Sequence, residues 1–259
     1  MKREDEMNGN DNKYEKAAEW IAGAKNAAAF TGAGISVESG IPTFRGPTGL
    51  WSRYDPQILD LRYFYEHPLE SWKAIKEIFY DYMGAKARPN AAHRFLAELE
   101  RRGILRGVIT QNIDNLHQEA GSGNVVEFHG TAQKLECTAC RKKWEFTEEL
   151  LSSLPPRCPD CEGLLKPDFI FFGEAIPPEA YRRSVELCEK ADLLIIVGTT
   201  GEVMPASMIP FEVRGRAKVI EINVEPSRYT EELSDIFLQE RASVAAKELA
   251  RRVGIDGIG

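Results

Sequence analysis

The sequence contains no apolar run long enough to cross a membrane, no secretory leader, no internal repeat and no low-complexity segment. Those absences set aside a membrane span, an exported disulfide scaffold and a solenoid, and they place the chain, as an expectation, in the reducing cytoplasm. Cysteine is scarce, at five in 259 residues. Positive charge is also short. The 33 Lys and Arg against 40 Asp and Glu leave a formal net charge of −7, which argues against general affinity for nucleic acid and mildly favours basic partners. The remaining composition, 43% hydrophobic and 28% charged, suits a soluble globular chain with one large core, or one core and a smaller lobe. Residues 1–12 are polar and lack an apolar period, so a mobile tail is expected there.

Four of the five cysteines form two knuckles, Cys137-x2-Cys140 and Cys158-x2-Cys161, 17 residues apart. Paired knuckles at this spacing read as a zinc ribbon. Four thiolates complete a tetrahedron and leave no position for water, so such a metal is structural rather than catalytic. Disulfides are the competing reading. Arg141, Lys142 and Lys143 suit a solvated rim, with nucleic-acid contact as the alternative. Cys188 stands in an apolar helical pattern and reads as packed core.

Helical spacing runs from Tyr14 to Lys25. The apolar stretch Ala27 to Phe30 then enters Thr31-Gly32-Ala33-Gly34-Ile35-Ser36. A strand running into a glycine turn is the entry of a nucleotide-binding α/β unit, because glycine lets the backbone approach a phosphate. Val37 stands where the dinucleotide fingerprint has its third glycine, and a tight turn without a ligand is the alternative. Residues 42–70, rich in Pro, Gly and aromatics, read as a long covering loop. Helices are expected near 69–83, 90–102, 179–190, 205–213 and 242–253, and strands at 105–110, 125–128, 193–197 and 218–222.

These strands are apolar without alternation, which indicates a parallel sheet covered on both faces. Ligands of such sheets sit at the carboxyl ends of the strands. Polar or glycine stops fall at those ends: Gly32 and Gly34; Gln111, Asn112 and Asp114; His129; Gly198, Thr199 and Thr200; Asn223 and Glu225.

Taken in order, Gly32-Ala33-Gly34-Ile35-Ser36, Gly40-Ile41-Pro42-Thr43-Phe44-Arg45-Gly46, Thr110-Gln111-Asn112-Ile113-Asp114-Asn115-Leu116-His117, Phe128-His129-Gly130, the two cysteine pairs and Lys166-Pro167-Asp168-Phe169-Ile170-Phe171-Phe172-Gly173-Glu174 resemble the sirtuins. These are NAD-dependent protein-lysine deacylases, and the resemblance covers roughly residues 14–253. It implies a Rossmann-type parallel sheet with helices on both faces, plus a small lobe made of a helical insertion and a zinc ribbon. The implied catalytic unit is 13–255: a large domain of 13–45, 103–131 and 168–255, and a small lobe of 46–102 and 132–167.

The resemblance also implies roles. NAD+ would lie near Gly32, Ala33 and Gly34, with Thr43, Phe44 and Arg45 in a flexible cofactor loop. Gln111, Asn112 and Asp114 would surround the nicotinamide and its ribose, with Asn112 counted as catalytic; taken alone, Asp114 could equally be a helix cap. His129 would be the general base, for which an imidazole titrating near neutral pH is suited. Gly198, Thr199, Thr200, Asn223, Val224, Glu225 and Ala242 correspond to the adenosine side. Ile170, Phe172, Gly173, Glu174 and Val203 belong to segments that hold an acetyl-lysine peptide as an added strand. One structural Zn2+ would be held by Cys137, Cys140, Cys158 and Cys161. His67, His93 and His117 read as structural, and Trp51, Tyr54 and Tyr63 as small-lobe packing rather than a platform for bases.

Two departures stand out. Thr200 and Gly201 replace a serine and a bulky aliphatic of many relatives. Tyr80 and Tyr82 have no arginine three residues on, so the Tyr-x-x-Arg pair of succinyl-removing relatives is lacking and a neutral acyl group is expected. The alternative activities are protein mono-ADP-ribosyl transfer, a non-enzymatic zinc-ribbon module, and a nicotinamide-dependent oxidoreductase; the last is disfavoured by Val37 and by a closed metal site.

Overall fold

The computed structural model describes residues 2–44, 46, 49–82 and 87–258. Helix α1 (Lys2–Gly23) leads into strand β1 (Ala27–Thr31); α2 (Leu61–Glu66), α3 (Pro68–Ile75) and a π-helical stretch Lys76–Tyr82 follow. Then come α4 (Ala91–Arg101), β2 (Leu105–Thr110), α5 (Leu116–Glu119), β3 (Val125–Glu127), β4 (Gly130–Cys137), β5 (Lys143–Glu145) and β6 (Leu165–Phe169). The chain ends through α6 (Pro178–Lys190), β7 (Leu193–Val197), a 3-10 segment Ala206–Val213, β8 (Lys218–Asn223), α7 (Arg228–Glu232), β9 (Ile236–Gln239) and α8 (Ala242–Arg252).

Six strands form one sheet in the order β3-β2-β1-β7-β8-β9, every pairing parallel. Every residue of β1 and of β7 is buried, as central strands covered on both faces require. One face packs on α1, α4 and α8 through Ile21, Phe95, Leu99 and Leu249; the other carries Phe30, Phe128, Cys188 and Tyr229. Cys188 is thus core, as expected. The order turns back between β1 and β7: β2 and β3 extend to one side, β8 and β9 to the other. Their carboxyl ends open the crevice in which doubly wound sheets bind ligands.

The second sheet, β5-β4-β6, is antiparallel. It shares a third core with the helical insertion, built from Phe64, Trp72, Ile75, Phe79, Leu135, Cys137, Cys158, Phe169 and Phe171. The Trp72 indole donates to the Leu165 carbonyl at 2.8 Å and ties α3 to β6.

Two expectations are revised. Residues 2–12, read as a tail, continue α1. Their Glu, Lys, Arg and Met favour helix without needing an apolar stripe. Residues 42–70 are not one long loop. They hold 3-10 turns at Leu50–Ser52 and Pro56–Leu59 and all of α2, with Asp55 and Asp60 capping the last two. Trp51 and Tyr54 pack on the third core. The helix expected near 69–83 is found as α3 and its π-helical continuation Lys76–Tyr82; Pro68 opens it, and its ring keeps it from continuing α2.

Candidate active site

The glycine turn is fixed by backbone approaching backbone. Gly32 N–H donates to Val197 O at 3.1 Å, and Gly34 N–H to Gly198 O at 2.8 Å. A Cβ at Gly34 would lie 2.6 Å from the Gly198 Cα, and one at Gly32 would lie 2.8 Å from the Thr199 Cβ. Gly198 adopts φ +65°, where a side chain would also meet Ile35 N at 2.3 Å. These contacts need glycine at 32, 34 and 198. No such contact arises at Val37, which is 47% exposed on the 3-10 turn Ala33–Ser39. The missing third glycine therefore does not spoil the turn. Its bare backbone at the switch point leaves the close approach that a dinucleotide pyrophosphate needs.

The stop after β2 forms the neighbouring wall. Gln111 reaches Thr199 Oγ1 through Nε2 at 3.1 Å, spanning the β1–β7 crevice. Asn112, 7% exposed, donates from Nδ2 to Gly32 O (3.2 Å) and Ser36 Oγ (3.1 Å). Asp114 accepts from Ser36 Oγ at 2.6 Å and from Leu116 N–H at 3.0 Å. The second bond reaches the first residue of α5, but the cap position itself is held by Asn115, so Asp114 is not the helix cap that the sequence offered as its alternative. Burial pushes the Asp114 carboxyl above its ordinary value, against the pull of Ser36 and Leu116.

His129 follows β3 and faces the same wall. Its Nδ1 lies 3.1 Å from the Gln111 carbonyl oxygen, which can only accept. The proton therefore sits on Nδ1, and Nε2 keeps its lone pair. Burial holds the imidazole below its ordinary value, against the Gln111 carbonyl, so it is neutral at pH 7. Ile170 N–H donates to His129 O at 2.9 Å and brings a candidate substrate segment directly to the base. Gly130, at φ +73°, would drive a Cβ to 2.2 Å from Asp168 O, so no other residue serves after His129.

Beneath this wall lies a polar network that single-residue reading of the sequence missed. Thr31 Oγ1 donates to Thr110 Oγ1 at 2.9 Å and so receives the His117 Nε2 proton at 2.9 Å. His93 Nδ1 accepts from Asn90 N–H at 3.3 Å, which leaves Nε2–H for Ser36 Oγ at 3.4 Å. The rings of His93 and His117 lie 4.9 Å apart. Burial takes His93 down to about 4 and His117 well below the usual range. Both rings are buried and hydrogen-bonded inside the protein, and His93 reaches Ser36, the hydroxyl that also holds Asn112 and Asp114. The legible signal was Asn90-x-x-His93, a capping box at the start of α4.

On the other side of the crevice, Asn223 Nδ2 donates to Thr199 O at 3.1 Å, and Arg228 N–H to Thr200 O at 3.2 Å. Val224 and Glu225 are exposed just beyond β8, and Ala242 is buried at the start of α8. Phe44 rests on Trp51 and Phe79 with ring centroids 5.4 and 6.4 Å away; Thr43 O accepts from Leu50 N–H. Arg45 lies outside the described residues.

The peptide segments differ from the expectation in one respect. Phe172 N–H donates to Leu59 O (2.8 Å) and Phe172 O accepts from Leu61 N–H (3.0 Å), so its main chain is already paired inside the protein. Gly173, at φ +83°, is the next residue to which an incoming strand could pair. Glu174 accepts from Phe171 N–H at 2.9 Å and pairs with Lys166 at 3.0 Å. Val203 O is held by Ser207 N–H at 2.8 Å.

The sulfur atoms of Cys137, Cys140, Cys158 and Cys161 lie within 4.8 Å of one another. Burial opposes ionisation of Cys137, yet the N–H groups of Cys140 and Ala139 and the adjacent thiols draw it down to about 6. Four converging sulfurs fit tetrahedral zinc; all five cysteines are free of disulfides. Cys137 ends the strand that Gly130 begins, roughly 20 Å along β4 at the rise of an extended chain. The metal site is therefore remote from His129. Among the described residues no helix is long and apolar enough to cross a membrane.

The profile of the Sir2 family matches residues 32–205. An NAD-dependent protein deacylase 2 of Pyrobaculum aerophilum is 45% identical over 241 residues, covering 91% of this chain and 94% of the relative. A Sir2 homologue solved with NAD superposes with a TM-score of 0.85 at 40% identity, covering 93% of each chain. A Sir2 variant solved with deacetylated p53 peptide and 3′-O-acetyl-ADP-ribose gives 0.85 at 35% identity, covering 93% of this chain and 98% of that one.

Proposed function

Because the chain belongs to the Sir2 family, we propose that it is an NAD-dependent protein-lysine deacetylase that yields nicotinamide, free lysine and O-acetyl-ADP-ribose. The observation that carries this reading is the Nδ1–H bond of His129 to Gln111 O, which leaves Nε2 basic at the mouth of the switch-point crevice. When bound, NAD+ supplies a ribose carbon that can release nicotinamide and accept the acyl oxygen of the substrate.

The protein's part is positioning and one proton transfer. Gly32, Ala33, Gly34 and Gly198 form the backbone shelf for the pyrophosphate, and Thr199, Thr200, Asn223, Val224, Glu225 and Ala242 the adenosine side. Asn112 and Asp114, anchored on Ser36, orient the nicotinamide end, where Gln111 bridges both halves. Phe44, with Thr43 and Arg45 in its loop, excludes water from the reacting sugar. His129 Nε2 accepts a proton from a ribose hydroxyl, and Nδ1–H stays on Gln111 O. Ile170, Gly173 and Glu174 on one side, and Val203 on the other, hold the peptide; Phe172 contributes its exposed ring rather than its main chain. Cys137, Cys140, Cys158 and Cys161 hold a structural zinc that keeps β4–β6 folded.

The division into a large domain (13–45, 103–131, 168–255) and a small lobe (46–102, 132–167) is part of this reading, supported by the separate sheets and cores except at α4, whose Ala91, Phe95 and Leu99 pack on the large parallel sheet. So are a cytoplasmic location and the lack of direct nucleic-acid binding, the latter supported by the acidic balance. The test is mass spectrometry of products from NAD and an acetyl-lysine peptide, comparing the native chain with His129→Ala. Loss of the acetyl mass with the native chain alone is expected. A peptide that instead gains ADP-ribose would establish ribosyl transfer in its place.

A further inference from the structure

Glu221 sits in the middle of β8 with 0% exposure, on the sheet face that carries Tyr229. An isolated carboxylate there is costly unless hydrogen-bonded. Three hydroxyls receive it: Ser227 Oγ on Oε1, and Thr230 Oγ1 and Ser234 Oγ on Oε2, the latter two at 2.8 Å each. All three follow the Asn223–Glu225 turn directly in sequence.

Two of these hydroxyls have a second task. Ser227 Oγ accepts from Tyr229 N–H at 3.0 Å, and Thr230 Oγ1 accepts from Ser227 N–H at 2.9 Å, the reciprocal capping box of α7. Each hydroxyl has one proton. By accepting both protons, Glu221 turns the lone pairs of Ser227 and Thr230 toward the backbone of α7. A carboxylate inside the sheet thus fixes the start of that helix.

The helix start in turn bears on the loop after β7. Arg228 N–H holds Thr200 O, and Tyr229 packs so closely on Gly201 that a Cβ there would lie 2.9 Å from its ring. The Tyr229 hydroxyl donates to Ser207 O at 3.1 Å, beyond the turn that carries Val203. Gly201, the departure from the bulky aliphatic of many relatives, is thereby explained: Tyr229 occupies the space.

We infer that Glu221, acting through Ser227 and Thr230, is a positioning residue for the adenosine side of the dinucleotide site. The inference rests on the reading of Gly198–Thr200 and Asn223–Glu225 as that side. Glu221 touches no substrate. It sets the angle at which Thr200 and Asn223 are presented.

The test is calorimetric binding of ADP-ribose, with KM for NAD and kcat at saturating peptide, for the native chain, Thr230→Val, Thr230→Ser and Ser234→Ala. Thr230→Val keeps shape and loses the hydroxyl. It should weaken ADP-ribose binding and raise KM for NAD by about five- to tenfold, the factor for one hydrogen bond, with kcat nearly unchanged. Thr230→Ser should restore native values, and Ser234→Ala, outside the capping box, should give a smaller shift in the same direction. If Thr230→Val does not fold, the Ser234→Ala shift in ADP-ribose affinity decides. Native affinity in variants that lose only thermal stability would overturn the inference and leave the parent reading standing. A native chain that binds no ADP-ribose would overturn both.

Discussion

The Nδ1 atom of His129 lies 3.1 Å from the carbonyl oxygen of Gln111, and this bond decides which edge of the imidazole can take a proton. Burial holds the ring below 6.5. A base must be neutral to act. The rate kcat/KM for an acetyl-lysine peptide should therefore be level near pH 7 and fall as pH drops through a value below 6.5. His129→Ala should lower turnover by about 100-fold or more while changing NAD affinity little. An acid limb centred above pH 7 in a rate profile would contradict the assignment.

Gly34→Ala places a methyl 2.6 Å from the Gly198 Cα, in contact with backbone that cannot turn aside. The turn must open, at a cost of about 1–3 kcal/mol. Weaker NAD binding is expected to accompany a lower melting temperature, and titration with NAD in parallel with thermal melts checks both. Val37→Gly, by contrast, should leave NAD affinity unchanged, since no close approach is made there.

Tyr80, a member of the aromatic pair weighed for acyl choice, is half-buried against the small-lobe core with its hydroxyl buried. Its ring lies 4.4 Å from that of Phe146 and stacks on Trp72. A phenol held there is not offered to a carboxylate. Hydrolysis of acetyl-lysine peptide should exceed that of succinyl-lysine peptide by tenfold or more, the order expected when a charged chain lacks a cationic partner. Succinyl preference in a side-by-side assay would refute it.

Removing the metal should unfold the β4–β6 sheet, because structural zinc contributes folding energy outright. A chelator, or Cys158→Ser at a buried ligand, should lower the melting temperature and abolish turnover, with zinc restoring the chelated protein. Retained activity at undetectable zinc would show the cluster to be dispensable.

His93 binds a proton only near pH 4, whereas the unfolded chain does so near 6.5. A lowered value means stability that is complete above 6.5 and declines as pH falls toward 4. The interval corresponds to on the order of 3 kcal/mol. Burial raises Asp114 and Glu127, which acts in the opposite sense, so the informative comparison is between variants. Urea melts from pH 7.5 down to 4 should show a shallower acid decline for His93→Gln than for the native chain.

The parallel strands were legible because β1 and β7 are buried at every residue and β2 and β8 at most of theirs, which makes them largely apolar. Their ends gave the site for the same reason: a polar residue after such a strand has few other uses. β9 went unread, being a four-residue edge strand with a mixed burial pattern. The pairing of Phe172 with Leu59 and Leu61 was also hidden, since main-chain bonds between distant segments leave no mark on side-chain type. Glu221 looked like an ordinary charge because its three hydroxyl partners are common surface residues until folding buries the carboxylate among them.

Gly130 and Phe169 lie side by side where β4 and β6 begin and end, so the two strands that join the zinc-bearing sheet to the rest of the molecule cross at one spot. The Trp72 tie and the common aromatic core join α2, α3 and the zinc-bearing sheet in one packed unit. The strand pair that anchors this unit thus begins one residue from the imidazole.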